Sequence, residues 1–358
     1  MTIRGTDPLA LLVTLALGAA GGALAAWAQL PLGFLMGSLV VTAVAAMAGW
    51  RPFGLPITLP GKFRMCFVPV IGVAIGGAFT PQVAGQMAGW MPSLLALCLF
   101  VPMAHGLGYA IYRRGGVGQR EALFGAVPGG LIESVTLAEA AGADMREVTV
   151  LQFLRLILAI LSVPMIFWAM TGQAVGSAAG VRLAGQDTAL GLADVLALLA
   201  AGMFGALGAR ALRLPGWIVM GPLVCSAALH GSGWITAGPP SWMVSATQVV
   251  LGTGLGARFA GVRRDTLLRA GRLALANGAA ALLLALAFAE ALHWTVGEPV
   301  AAVFLAFAPG GLAEMSLIAL SLQISVIYVT AHHALRIILA VLLAQAAARW
   351  SNRQPPKA

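Results

Sequence analysis

Two stretches of the chain share one run: Ala126–Val135 reads AVPGGLIESV, and Ala306–Leu317 reads AFAPGGLAEMSL. Proline lacks an N–H and glycine lacks a side chain, so Pro-Gly-Gly breaks a helix. Both runs, Pro128-Gly129-Gly130 and Pro309-Gly310-Gly311, nevertheless sit inside long apolar sequence, and each is followed by a carboxylate, Glu133 or Glu314. The 358-residue chain is 60% hydrophobic and 9% charged. That leaves far too little polar surface for a water-soluble fold, and apolar stretches of about twenty residues recur along nearly its whole length. The expected fold is an all-α polytopic membrane protein with the bilayer as its main partner.

The net charge of +9 does not point to nucleic acid. Basic residues fall in short loops between apolar segments, as the positive-inside rule requires, rather than on one soluble face. Cys66, Cys98 and Cys225 lie within apolar runs without metal or disulfide spacing and read as packing residues. Leu9–Ala28 reads as a first span rather than a removed signal, because its GAAGGAL (Gly18–Leu24) matches GMFGALG (Gly202–Gly208) deep in the chain.

That match belongs to a duplication. Superposing the two Pro-Gly-Gly runs also puts Arg155 on Arg336. Upstream, Met36-Gly37 aligns with Met220-Gly221, and Gly72 and Gly76 align with Gly252 and Gly256. The repeats are residues 8–170 and 189–350, joined by an external linker, 171–188, and followed by a cytoplasmic tail, 351–358.

Loop charges set their orientation. Loop 50–64 carries Arg51, Lys62 and Arg64 while its counterpart 231–241 carries none; loop 82–91 is uncharged while 258–272 carries Arg258, Arg263, Arg264, Arg269 and Arg272. Corresponding loops therefore face opposite sides, which requires an odd number of crossings per copy. A re-entrant Pro-Gly-Gly hairpin plus about five crossings in each copy satisfies this, giving two inverted-topology repeats and about ten crossings. Both termini are then cytoplasmic in a bacterial inner membrane, with all Lys and Arg inside except Arg155, Arg182 and Arg336. Inverted repeats with broken helices are a recurring transporter architecture, with the site near the midplane.

The helices starting at Leu131 and Leu312 would present free N–H groups, which favour an anion. Glu133 and Glu314 either cap those helices or handle a ligand or proton. Arg155 and Arg336 lie within spans, where an uncompensated arginine costs at least about 2.5–3.5 kcal/mol. Each either pairs with the upstream carboxylate to hold the hairpin or binds an anionic group. Gln152 stands one turn from Arg155, and His332 and His333 stand one turn from Arg336. His333 is a candidate for a proton-coupled step or a packing histidine. Glu139 and Gln323 are further candidates for the cavity, whereas Glu290, Asp194 and His105 read as interfacial. Trp50, Trp90 and Trp294 read as interfacial anchors.

AVPGGLIESVTLAEAAGAD followed by LQFLRLIL, and APGGLAEMSLIAL followed by HHALRIIL, resemble the AbrB family of duplicated bacterial membrane proteins across essentially the whole chain. The resemblance implies distant similarity to cation/proton antiporters and bile-acid-type sodium symporters, and brings the labels ammonia monooxygenase and membrane regulator of gene expression. An oxygenase site needs clustered ligands, but the five histidines are scattered apart from one adjacent pair, His332 and His333. No nucleophile–base set, phosphate loop or DNA-binding module is recognisable. The expectation is a secondary transporter of a small anionic or zwitterionic solute, coupled to protons or another ion, without enzymatic activity, cofactor or metal, and able to form a homo-oligomer. A membrane sensor acting indirectly on gene expression is the alternative, and an ammonia monooxygenase-type oxidoreductase ranks last.

Overall fold

The computed structural model describes residues 7–30, 32–79, 87–129, 131–171, 190–214, 216–262, 264–322 and 324–352; all regular structure among them is helical. The first seven α-helices are α1 (Pro8–Trp27), α2 (Gly33–Met47), α3 (Gly61–Gly76), α4 (Met91–Arg114), α5 (Gln119–Gly125), α6 (Leu131–Ala140) and α7 (Met145–Thr171). The next seven are α8 (Leu192–Ala211), α9 (Trp217–Gly231), α10 (Ser241–Gly256), α11 (Arg264–Val296), α12 (Val300–Phe307), α13 (Leu312–Ser321) and α14 (Val326–Asn352). Six of them, α1, α4, α7, α8, α11 and α14, are long and apolar enough to cross a membrane, which marks a polytopic membrane protein. The others among these helices have at most 16 residues, about 24 Å at 1.5 Å per residue against a hydrocarbon core of about 30 Å.

Local chemistry explains the helix ends. The Asp7 carboxylate accepts from the Leu9 N–H at 2.9 Å, and Pro8 fills the first helical position where its missing N–H costs nothing. The Asp194 carboxylate likewise accepts from the Gly191 N–H at 3.0 Å, so Asp194 is a helix cap. Each expected Pro-Gly-Gly segment divides into two short helices, α5 with α6 and α12 with α13, of 7, 10, 8 and 10 residues.

The chain forms two compact units, each drawing on both halves of the sequence. Unit 1 comprises Met1–Gly85, Pro164–Arg264 and Ser316–Ile327. Its helices meet through glycine, which lets backbones approach where lipid offers no hydrophobic drive to associate. A Cβ at Gly21 on α1 would stand 2.7 Å from the Gly37 carbonyl oxygen on α2, and one at Gly205 on α8 would stand 2.6 Å from Gly221 on α9. Helix α3 lies on α9: Cβ atoms at Gly72 and Gly76 would each come within 2.5 Å of a carbonyl oxygen, of Val219 and Leu223 respectively. Helix α10 lies on α2 in the same way, with Gly252 against the Leu35 carbonyl and Gly256 against that of Leu39. The glycines that align between the two halves, Gly72 and Gly76 with Gly252 and Gly256, thus serve in helix packing.

Unit 2 comprises Gln86–Val163, Asp265–Met315 and Tyr328–Ala358. Phe100 on α4, Phe288 on α11 and Phe307 on α12 form an aromatic cluster with centroids 5.0–5.8 Å apart. Asn277 on α11 donates to the Tyr112 hydroxyl on α4 at 2.9 Å, and Phe124, Ala138 and Val148 bring α5, α6 and α7 together. Two expectations need correction. Trp50 and Trp294 are exposed, but Trp90 is only 6% exposed and meets Tyr328 edge-on, so packing rather than an interface holds it. His105 is buried within α4 and is not interfacial.

Candidate functional site

The site is built where two short helices of unit 2 stop. A helix leaves its last four carbonyls without intrahelical partners, and at membrane depth water cannot be relied on to satisfy them. Helix α5 ends at Gly125 and α12 at Phe307, each just before its Pro-Gly-Gly run. Gly129 then turns with φ +142°, a conformation that L residues rarely adopt, and packs toward Ala340 on α14.

The long helix following each break supplies the missing donors. Gln152 on α7 donates from Nε2 to the Phe124 carbonyl at 2.6 Å. One turn further along, Arg155 donates from Nη1 to Ala126 at 3.2 Å and from Nη2 to Val127 at 2.7 Å. On α14, His333 Nε2 meets the Leu305 carbonyl at 3.1 Å, and the Arg336 guanidinium donates to the carbonyls of Ala308 and Gly310. A cation at the carbonyl end of a helix also matches the negative end of its dipole. Both arginines occupy the eleventh position of their helices, about 15 Å from the start at 1.5 Å per residue. All four side chains are buried.

The sequence left two roles open for these arginines, and the structure supplies a third: each caps the short helix before the break. Two of the five N–H groups of each guanidinium are committed to carbonyls, and the Arg336 Nε–H has no partner. The predicted second helices start at Leu131 and Leu312. Gly130 and the Glu133 side chain lie outside the described residues. Glu314 folds back over the start of its own helix, where a Cβ on Gly311 would stand 2.8 Å from its Cδ, a position that fits capping.

Both breaks reach one cavity of about 130 Å³. Pro128, Gly129, Gln152 and Arg155 line it from the first half of the chain; Pro309, Gly310, Gly311 and Arg336 line it from the second. His333 caps α12 but is not among the lining residues. Glu139 is exposed and is not in the lining, and Gln323 lies outside the described residues. His332 and His333 diverge: Nε2 of His332 meets the Ser93 hydroxyl at 2.9 Å, while His333 turns to Leu305. Sequence reading also missed that His105 is a buried ionisable side chain of α4, which precedes the first break. The only advance signal is an ionisable residue in an apolar run, at a position that suggests a span end.

This set of paired helix breaks in a polytopic helical membrane protein defines the class. The chain belongs to the AbrB family: residues 51–352 match the family described as "Transition state regulatory protein AbrB". It is 27% identical over 351 residues to the Bacillus subtilis (strain 168) protein YhjN, described as uncharacterized, across 92% of this chain and 90% of the relative. It is 24% identical over 334 residues to Escherichia coli (strain K12) AbrB, which bears a provisional regulator label, across 92% of each.

Proposed function

We propose that the protein is a secondary transporter of a small anionic solute in the bacterial inner membrane. The observation that carries this reading is the cavity where two broken helices and two buried arginines converge. Two guanidiniums with donors to spare favour a negative group on electrostatic grounds. A site formed by discontinuous helices from two repeats is the arrangement that alternating access uses.

The same reading takes the halves as inverted repeats. Their successive helices have 20, 15, 16, 24, 7, 10 and 27 residues, then 20, 15, 16, 33, 8, 10 and 27. Further support comes from reciprocal packing: α3 of the first half lies on α9 of the second, while α10 lies on α2 through the corresponding glycines. A pair of contacts exchanged in this way is what a two-fold relation between halves produces. About ten crossings, re-entrant breaks and cytoplasmic termini belong to this proposal, as does ion coupling, with His333 the candidate for a proton. It assigns the protein no catalytic step and leaves room for self-association.

The test is uptake of small organic anions into proteoliposomes under imposed pH and sodium gradients. Gradient-driven accumulation that is lost in Arg155→Gln and Arg336→Gln, in variants that remain monodisperse, is expected. If the wild-type protein carries no anion under either gradient, the transporter reading fails. The regulator label of the E. coli relative favours a second reading, a membrane sensor. That reading would be supported by anion binding without transport.

A further inference from the structure

Gln152 contains the clearest unmet demand at this site. The Phe124 carbonyl can only accept, so the amide must present its NH2 there; this fixes Oε1 as the opposite, accepting end independently of amide-flip ambiguity. Gln152 is 1% exposed, lines the cavity, and its Oε1 has no hydrogen-bond partner. Arg336, 2% exposed and lining the same cavity, has an unpartnered Nε–H. Buried polar groups are paired in stable proteins. Both orphan atoms belong to side chains that line the cavity, so a guest carrying one donor and one acceptor would complement them.

The geometry points to a small carboxylate with a neutral hydroxyl on the carbon beside the carboxyl group, a 2-hydroxy acid anion: its carboxylate faces the arginines and its hydroxyl donates to Gln152 Oε1. The assignment rests on the reading of this cavity as an anion site. Charge selects the donor, since an ammonium in the same place would face Arg155 and Arg336 at close range. A 2-amino acid is thereby disfavoured. A simple carboxylate would leave the glutamine oxygen buried without a partner, and sites built to bond a hydroxyl reject analogues lacking it for that reason.

The corresponding position of the second half shows how the residue can be varied. His333 meets the Leu305 carbonyl through Nε2, which must therefore carry the hydrogen, and Nδ1 is left as a buried acceptor without a partner. Histidine at position 152 can thus divide its two ends as glutamine does.

The experiment is calorimetric titration of the purified full chain in detergent with lactate, propanoate and alanine, which differ at the carbon beside the carboxylate. Wild-type protein is expected to bind lactate at least about tenfold tighter than propanoate, with alanine weaker than lactate. Gln152→Leu should bring lactate and propanoate to within about twofold, and Gln152→His should retain the preference. If the leucine variant fails to fold, the wild-type ratio and the histidine variant still decide. Equal binding of lactate and propanoate by the wild type overturns the hydroxyl assignment while leaving an anion site. Alanine binding most tightly overturns the charge argument, and failure of all three to bind overturns both the assignment and the anion site beneath it.

Discussion

Replacing Arg155 by methionine keeps the length of the side chain's apolar part and removes the donors that cap α5. Two charge-assisted bonds are lost, to Ala126 and Val127, at about 1.5–3 kcal/mol each. Against this, methionine removes the cost of holding a guanidinium among apolar neighbours, about 2.5–3.5 kcal/mol on insertion scales. The midpoints of the two opposing effects, about 4.5 and about 3 kcal/mol, leave a net destabilisation of about 1.5 kcal/mol. For unit 2, of about 160 residues, each kcal/mol moves the melting midpoint by about 2–4 °C, so a fall of roughly 3–6 °C is expected. Arg155→Lys, which keeps a charge and at least one donor, should lose about half as much. The assay is tryptophan-fluorescence melting in detergent, with size-exclusion profiles before and after heating. A methionine variant melting at or above the wild-type temperature would refute the capping argument, since the carbonyls would then have no need of the arginine.

Two other experiments examine the architecture. Single cysteines labelled from one side of the membrane should place loops 50–64 and 258–272 in the cytoplasm and loops 82–91 and 231–241 outside; homologous loops labelling together would end the inverted-repeat proposal. Gly72→Leu forces a side chain into the Val219 carbonyl and should cost at least about 1–3 kcal/mol, whereas Gly208→Leu, where a Cβ meets nothing within 4 Å, should melt like wild type. Equal melting of those two variants would sink the claim that α3 and α9 touch through glycine.

Composition made the helical membrane class legible, and Pro128 and Pro309 located both helix breaks because proline and glycine act on their own backbone. Even the starts at Leu131 and Leu312 followed from that local rule. The partners of Arg155 and Arg336 were less accessible. A charge at membrane depth advertises a partner, and carboxylates were the conspicuous candidates. Backbone carbonyls occur at every residue and leave no mark in a sequence, so their selection by arginine appeared only with the three-dimensional arrangement. His105 and Trp90 were misplaced for a related reason. Position along a helix gives depth, but which side of the helix faces protein depends on neighbours contributed by distant segments.

The crossed packing of α3 and α9 also sets a timetable for synthesis. Gly72 cannot meet Val219 until the second half of the chain has emerged, and at about 5–20 residues per second that takes on the order of ten seconds or more. During that interval the bare stripe of α3 must rest against lipid, the insertion machinery or a temporary helical neighbour. A nascent first half therefore waits with its glycine surface uncovered, and cotranslational assembly of unit 1 is completed only when the later helices arrive.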